Sequence, residues 1–196
     1  MFPHAVVPLR VFELRYRALV RDALRGERLI AMALLKPGWE RDYYGSPEFF
    51  PLGCLGRIQE VEWLPNDCYD LKLAGLARVC FERMAREHPY RAAHVRIVAQ
   101  GPLSDDDPLV VLERRALLEA FTRVARDLGS AAALSHSIAL EPLVNHVCMS
   151  LAMDPASRQA LLELDSLLER SRRVRERMER NFRQGHPPVP GDGEHN

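Results

Sequence analysis

Lysine is almost missing from this chain. Lys36 and Lys72 are the only two in 196 residues, and every other basic side chain is arginine. A Ser–Lys hydrolytic dyad would have to use one of them. Lys36 precedes a loop proline and Lys72 sits in a strand-like run between Leu71 and Leu73, so neither is desolvated as a lysine base must be. No G-x-x-x-x-G-K-[ST] occurs, so there is no phosphate-cradling loop. Gly53-Cys54-Leu55-Gly56 lacks the third glycine of a dinucleotide turn and precedes a strand, not a helix. H-E-x-x-H, G-x-S-x-G and the EF-hand loop are absent too.

The four cysteines (Cys54, Cys68, Cys80 and Cys148) contain no C-x-x-C pair. His146 and Cys148 are two apart in a helical pattern and point to different faces. His136 and His146 are too far apart to ligate a metal at i, i+4. The expectation is therefore a chain with no cofactor, no metal and no catalytic residue.

Charge of one sign is also lacking. The 27 basic and 27 acidic residues cancel, which argues against a general nucleic-acid binder, whose affinity rests on excess Lys and Arg facing phosphates. The longest clean apolar run, Leu29 to Leu35, falls far short of the ~20 residues of a membrane helix. Arg10, Glu13, Arg15 and Arg17 interrupt the N-terminal stretch, so no secretory signal is visible. These features point to a cytosolic protein with reduced thiols and no membrane partner.

What is present is enough apolar sequence, 47% of residues, to bury a sizeable core. The first hundred residues read as mostly strand. Ala5 to Phe12 is β-leaning, with Pro8 suggesting an edge. Glu13 to Leu24 switches to helical spacing, with Tyr16, Leu19, Val20, Ala23 and Leu24 on one face and Gly26 as the C-cap. Arg28 to Leu35 reads as a buried strand, and residues 36–51 as a loop rich in Gly, Pro and aromatics. Leu55 to Leu64 and Tyr69 to Leu73 alternate around Pro65-Asn66-Asp67, a hairpin pattern. Gly75 punctuates, and Ala77 to Met84 and Ala92 to Val98 are two further strands. Five or six short antiparallel strands imply a small closed or half-closed sheet.

After Gly101 the pattern becomes helical. Asp106 or Asp107 caps a helix with Pro108 in its first turn, carried by Val110, Leu117, Phe121, Val124 and Leu128 and ended by Gly129. A second helix spans Glu141 to Met153. A third opens at Asp154-Pro155 and runs unbroken to about Phe182. The fold class expected is α+β: a β-rich half over 1–101, a helical subdomain over 102–184, and a tail over 185–196 too polar to build a core.

Several short motifs, in order, resemble the Lon protease N-terminal family. Phe2-Pro3 is followed by Pro8-Leu9-Arg10-Val11-Phe12-Glu13-Leu14-Arg15-Tyr16, similar to that family's P-L-x-[IV]-F-E-x-R-Y. Gly53-Cys54-Leu55-Gly56-Arg57-Ile58, Leu73-Ala74-Gly75-Leu76-Ala77-Arg78 and Pro89-Tyr90-Arg91-Ala92-Ala93-His94-Val95 are similar to its later strand motifs. Leu151 to Glu169 resembles its helix pair. The match covers roughly residues 2 to 182. The resemblance implies a PUA-like twisted β-barrel or sheet half with one helix, followed by a helical bundle. It implies a substrate-recognition module standing without the ATPase and peptidase. Members of that family usually carry one more strand before the motif, so the expectation here is either a mis-called start or an open sheet edge.

Two groups of residues are candidates for function. Glu13, Arg15 and Tyr16 carry the most distinctive motif, and a structural role is the favoured reading for them. Trp39, Tyr43 and Tyr44 sit in the aromatic loop and are the candidates for peptide binding, since aromatics dominate hot spots. Phe49 and Phe50 either join them or tuck under the sheet. The arginines of the last helix, Arg170 through Arg183, alternate with Glu169, Glu176 and Glu179 and read as a solvated face. The expected partners are unfolded or degron-bearing proteins. The alternative is RNA, bound through the PUA-like half or the basic helix.

Overall fold

In the computed structural model, residues 1–101, 103–127, 134–135 and 137–183 are described. The backbone contacts divide into one unit over Met1–Ala99 and a second beginning at Gln100.

The first unit is a five-stranded antiparallel sheet with one helix. Its strands are β1 (Val6–Val11), β2 (Leu29–Met32), β3 (Leu52–Leu64), β4 (Cys68–Arg86) and β5 (Ala92–Val98), and its helix is α1 (Leu14–Arg25). The order is β1-β4-β3-β2, with β5 also on β4. The path is open, so β1, β2 and β5 are edges. The hairpin across Pro65-Asn66-Asp67 forms as its alternation implies, with Trp63 opposite Tyr69 and Leu64 opposite Cys68.

One expectation needs correcting. Tyr69 to Leu73 and Ala77 to Met84 are not two strands broken at Gly75. They are a single 19-residue strand, β4. Its first part carries β1 (Val6 opposite Ala74, Val11 opposite Tyr69) and its second part carries β5 (Arg78 opposite Val98). Gly75 serves close approach instead of a turn. His4 N–H donates to the Gly75 carbonyl and Gly75 N–H to the Ala5 carbonyl. A Cβ on Gly75 would lie 2.1 Å from the Phe2 carbonyl oxygen, so only glycine lets the N-terminal turn lie against β4.

α1 lies over the sheet because its spacing gives it one apolar side. Val20 is fully buried with Ile30, Ile58, Tyr69, Leu71 and Leu73, and Leu19, Ala23 and Leu24 pack at the margin. Burying one such aliphatic side chain is worth roughly 1.5–3 kcal/mol. Gly26 does not take the left-handed conformation expected of a C-cap; its φ is −112°. Arg28, at φ 60°, does so two residues later, and the N–H groups of both donate to the Ala23 carbonyl. The β4–β5 end is tied to this helix: the Tyr90 hydroxyl donates to Asp22 at 2.6 Å, with Arg86 stacked 4.1 Å from the Tyr90 ring centroid.

The second unit contains α2 (Pro108–Asp127), α3 (Leu140–Ser150), α4 (Pro155–Glu163) and α5 (Leu167–Arg183). Asp107 accepts from Leu109 N–H at 2.8 Å and Asp154 from Ser157 N–H at 2.8 Å, so both aspartates cap helices whose first residue is proline. Val110, Leu117, Phe121 and Val124 of α2, Leu143, Val144 and Val147 of α3, and Val174 and Met178 of α5 form the buried core. Leu128, Gly129 and the 185–196 tail lie outside the described residues.

The expected unbroken helix over 155–182 is in fact two. Ser166 accepts from Glu169 N–H and starts α5. Arg170 reaches back and donates to the carbonyls of Leu161 (2.9 Å) and Leu164 (2.6 Å), capping the end of α4. Arg170 therefore departs from the solvated face assigned to it, with no exposed surface. It also donates to Asn145 Oδ1 and Gln100 Oε1, each at 3.2 Å. A guanidinium can be buried where its N–H groups all find acceptors.

Candidate functional site

β1 ends at Val11, and the chain turns at Phe12-Glu13 into α1. The turn leaves Phe12 (63% exposed) and Leu14 (75%) projecting into solvent on either side of Glu13. Glu13 occupies the N-cap position of α1 without a side-chain cap bond. Its carboxylate is engaged elsewhere: one oxygen accepts from Arg15 Nε at 3.0 Å and the other from the Tyr43 hydroxyl.

Arg15 in turn donates through Nη1 to the Tyr43 carbonyl at 3.0 Å. Its guanidinium carbon stands 4.7 Å from the ring centroids of Tyr16 and Tyr43 and 6.0 Å from that of Tyr44, within cation–π range. Its Nη2 is buried without a hydrogen-bond partner. The rings continue the contact: Trp39 to Tyr43 at 5.4 Å and Tyr43 to Tyr44 at 5.1 Å between centroids, in the tilted and edge-on geometries that aromatic quadrupoles favour.

The two sequence candidates, separated by some thirty positions, are thus one cluster. Glu13, Arg15 and Tyr43 form its polar frame. Tyr16, Trp39 and Tyr44 stand outside that frame, with Tyr44 at 87% exposure, while Tyr43 is half-buried. The 3₁₀ turn Trp39–Asp42 begins after Gly38 at φ 89°, a conformation glycine adopts without strain. Phe49 and Phe50 do not join the cluster. Phe49 packs edge-on against Phe81 at 5.2 Å, and Leu35 pairs with it across a short bridge.

The charges follow the contacts. The hydrogen bond to Glu13, followed by burial, pushes the Tyr43 phenol above its ordinary value. Burial works against the Arg15 cation, but Tyr43, Tyr16 and Glu13 outweigh it and hold its pKa above the usual guanidinium value. A cleft of about 400 Å³ opens beside Trp39, with Lys36, Gly38, Asp42, Ser46 and Glu48 among its walls. The arrangement offers apolar and aromatic contact around a fixed cation. It holds no activated nucleophile. Burial pushes the Cys54 and Cys148 thiols up to about 11 and 12, the reverse of what a reactive cysteine needs.

Phe12 and Leu14 were not picked out in the sequence, because an apolar residue beside a β-to-α switch is ordinarily core. The signal that could have found them is period: Val7, Leu9 and Val11 take the inward positions of β1, so Phe12 is out of phase. On α5, Arg173, Arg175 and Arg177 pair with Glu169, Glu113 and Asp154, while Arg172, Arg180 and Arg183 are exposed. Among the described residues no helix is long and apolar enough to cross a membrane.

Comparison with known proteins gives a consistent picture. Residues 1–180 match the family model for the ATP-dependent protease La (LON) substrate-binding domain. A Lon protease 2 of Myxococcus xanthus is 26% identical over 183 residues, 91% of this chain and 22% of that protein. A Lon protease of Anaeromyxobacter dehalogenans is 29% identical over 127 residues, 65% of this chain and 14% of that protein. The chain thus spans less than a quarter of the length of these curated relatives. In structure it resembles a Lon N-terminal domain protein from Xanthomonas campestris (TM-score 0.63, 23% identity, 89% of this chain and 90% of that one). It also resembles the N-terminal domain of a Mycobacterium avium complex Lon protease (TM-score 0.64, 18% identity, 90% of each). At those identities the likeness speaks for the fold.

Proposed function

The chain belongs to the LON substrate-binding domain family, and from that premise we propose that it recognises exposed apolar segments of other proteins and carries out no chemistry on them. The observation that carries this reading is the exposed set Tyr16, Trp39 and Tyr44 gathered about Arg15 and Tyr43, with Phe12 and Leu14 exposed on either side of Glu13. Large apolar side chains gathered on one surface cost solubility and mark interaction sites. Rigid aromatics give much contact area for little lost entropy.

The frame beneath the patch supports this division of labour. Glu13 and Tyr43 hold the loop, and Arg15 fills the space between rings, so the aromatics are presented on a rigid base. Pre-ordering of that kind lowers the entropy cost of binding. A role as adaptor, passing clients to a protease or holding them from aggregation, is the natural extension of the same surface. The working compartment would be the cytosol.

The test is binding of one model polypeptide, held unfolded in one sample and native in another, at moderate salt. The unfolded form should bind at least tenfold more tightly. Replacing Trp39 and Tyr44 by serine, and separately Phe12 and Leu14, should each weaken that binding about tenfold or more; the melting temperature should stay within a degree or two for the Phe12 and Leu14 variant, whose side chains are mainly solvent-facing, and fall somewhat more where Trp39, 36% exposed and packed on Tyr43, is lost. Equal binding to both forms, or variants that bind like the parent, would overturn the reading. Retained binding to single-stranded RNA at low salt in those variants would transfer it to the nucleic-acid class.

A further inference from the structure

A second surface lies on the same sheet. β3 is 13 residues long, but β2 pairs with only Cys54 to Arg57 of it. One more bond, Ile58 N–H to the Arg28 carbonyl, closes that ladder. Beyond it the ladder to β4 is irregular at Gln59, Glu60 to Leu64 pair with β4 alone, and no described strand lies on their other side.

The faces of this stretch are uncovered as well. A strand with one face on a core alternates buried and exposed. Residues 59–63 are instead all exposed. Val61 and Trp63 occupy the core-facing register, opposite the buried Leu71 and Tyr69. Yet Val61 is 37% and Trp63 71% exposed, because α1 does not extend over them. Trp63 lies nearly parallel to Tyr69, 6.4 Å between centroids. On the opposite face Glu60 pairs with Lys72 at 2.8 Å, and Glu62 stands across from Asp70, which is held by Arg10.

We infer that residues 59–64 of β3 form a strand-addition site for an extended polypeptide segment in which apolar residues alternate with lysine or arginine. The backbone groups of every second residue along this edge point outward and can bond an incoming strand. In register, alternate side chains of that strand lie beside Val61 and Trp63 on one face and beside Glu60 and Glu62 on the other. Glu60 is already paired with Lys72, so it is Glu62, across from Asp70, that favours the basic alternation by charge complementarity. Complementarity also selects against a second copy of this chain, since an antiparallel β3–β3 contact would set Glu60 and Glu62 against the same acids. The site stands independently of the aromatic patch, because none of its residues belongs to that cluster.

The test uses the full chain and a capped seven-residue peptide alternating valine with lysine. Three controls accompany it: the same peptide N-methylated at alternate residues along one edge, a version with glutamate for lysine, and the protein alone across a concentration series. Titration with amide exchange as readout should show the lysine peptide protecting residues 59–64. The N-methylated and glutamate peptides should bind at least tenfold more weakly. Glu62→Lys should reverse the preference between lysine and glutamate peptides, and Trp63→Ser should weaken both, while the W39S/Y44S protein should bind the lysine peptide unchanged. Three results would each overturn the proposal: equal binding of the N-methylated peptide, protection elsewhere than residues 59–64, or concentration-dependent self-association that protects this edge without peptide. Loss of unfolded-client binding in W39S/Y44S with the peptide result intact would separate the two surfaces.

Discussion

Two arginines, one in each unit, show how differently the same side chain is used. Arg170 in the helical unit has no exposed surface, and its nitrogens meet the carbonyls of Leu161 and Leu164 and the side-chain oxygens of Asn145 and Gln100. Arg15 in the sheet unit retains 23% of its side-chain exposure, leaves Nη2 without an oxygen, and spends its charge on Glu13 and three tyrosine rings. The first arrangement joins helix ends into one body. The second holds aromatics at a surface. Satisfied inward hydrogen bonding marks a structural cation, and the cation faced by rings near solvent is the feature on which the proposed recognition surface rests.

The comparison breaks most visibly at Arg170. Arg170→Met should orphan several buried acceptors at once and cost about 3–5 kcal/mol in the stability of the helical unit. Chemical denaturation followed by helical circular dichroism would read it. Client binding at the aromatic patch should survive wherever the protein is folded. If R170M melts with the parent, the arginine is not a cap.

Arg15→Met should behave in the opposite way. The stability cost should be only about 1 kcal/mol, given the partial exposure of its ion pair, whereas binding to an unfolded polypeptide should fall about tenfold as the rings lose their support. A large loss of stability with unchanged binding would make Arg15 a second Arg170.

Tyr43 sharpens the contrast through pH. Its phenol is held above its ordinary value of 10.0, first by the hydrogen bond to Glu13 and then by burial. A raised pKa means stabilisation that is fully present below pH 10 and is lost as pH rises through the higher folded value. The tether of the aromatic loop should therefore release only above pH 10. Burial and the bond to Asp22 raise the Tyr90 phenol as well, so ultraviolet titration of tyrosine absorbance should show two late-ionising phenols, of which Tyr43→Phe removes one. The same substitution should cost about 1 kcal/mol at neutral pH.

The smallest effect belongs to the outer face of α5. Arg172 and Arg180 are exposed, so changing either to alanine should alter stability by no more than about 0.5 kcal/mol. Either variant should leave polypeptide binding as it was, at low salt as at high. A clear effect would give that face a partner.

Much of the fold was legible because it depends on short-range pattern. The α1 stripe, the Pro65-Asn66-Asp67 hairpin and the Asp107-Pro108 and Asp154-Pro155 helix starts all express a period or a cap within a few residues. The errors came where a local signal had a distant cause. Gly75 looked like punctuation, yet it answers the backbone of Phe2 more than seventy positions earlier. The 155–182 helix looked continuous because nothing in Leu164-Asp165-Ser166 forbids a helix, and the break is held by Arg170 reaching back.

The candidate site divides in the same way. Glu13, Arg15 and Tyr16 were visible as a motif, and Trp39, Tyr43 and Tyr44 as an aromatic loop, each from residues close in sequence. Only the tertiary structure decided that they are one cluster, that Phe12 and Leu14 are exposed beside it, and that β2 stops short and leaves Trp63 on an open edge. By itself the sequence determined the class of fold, the order of most elements and the family resemblance. Convergence, burial and the end of a ladder depend on which distant segments meet. Those meetings are settled by packing and by the need to pair buried polar groups, which no local window contains.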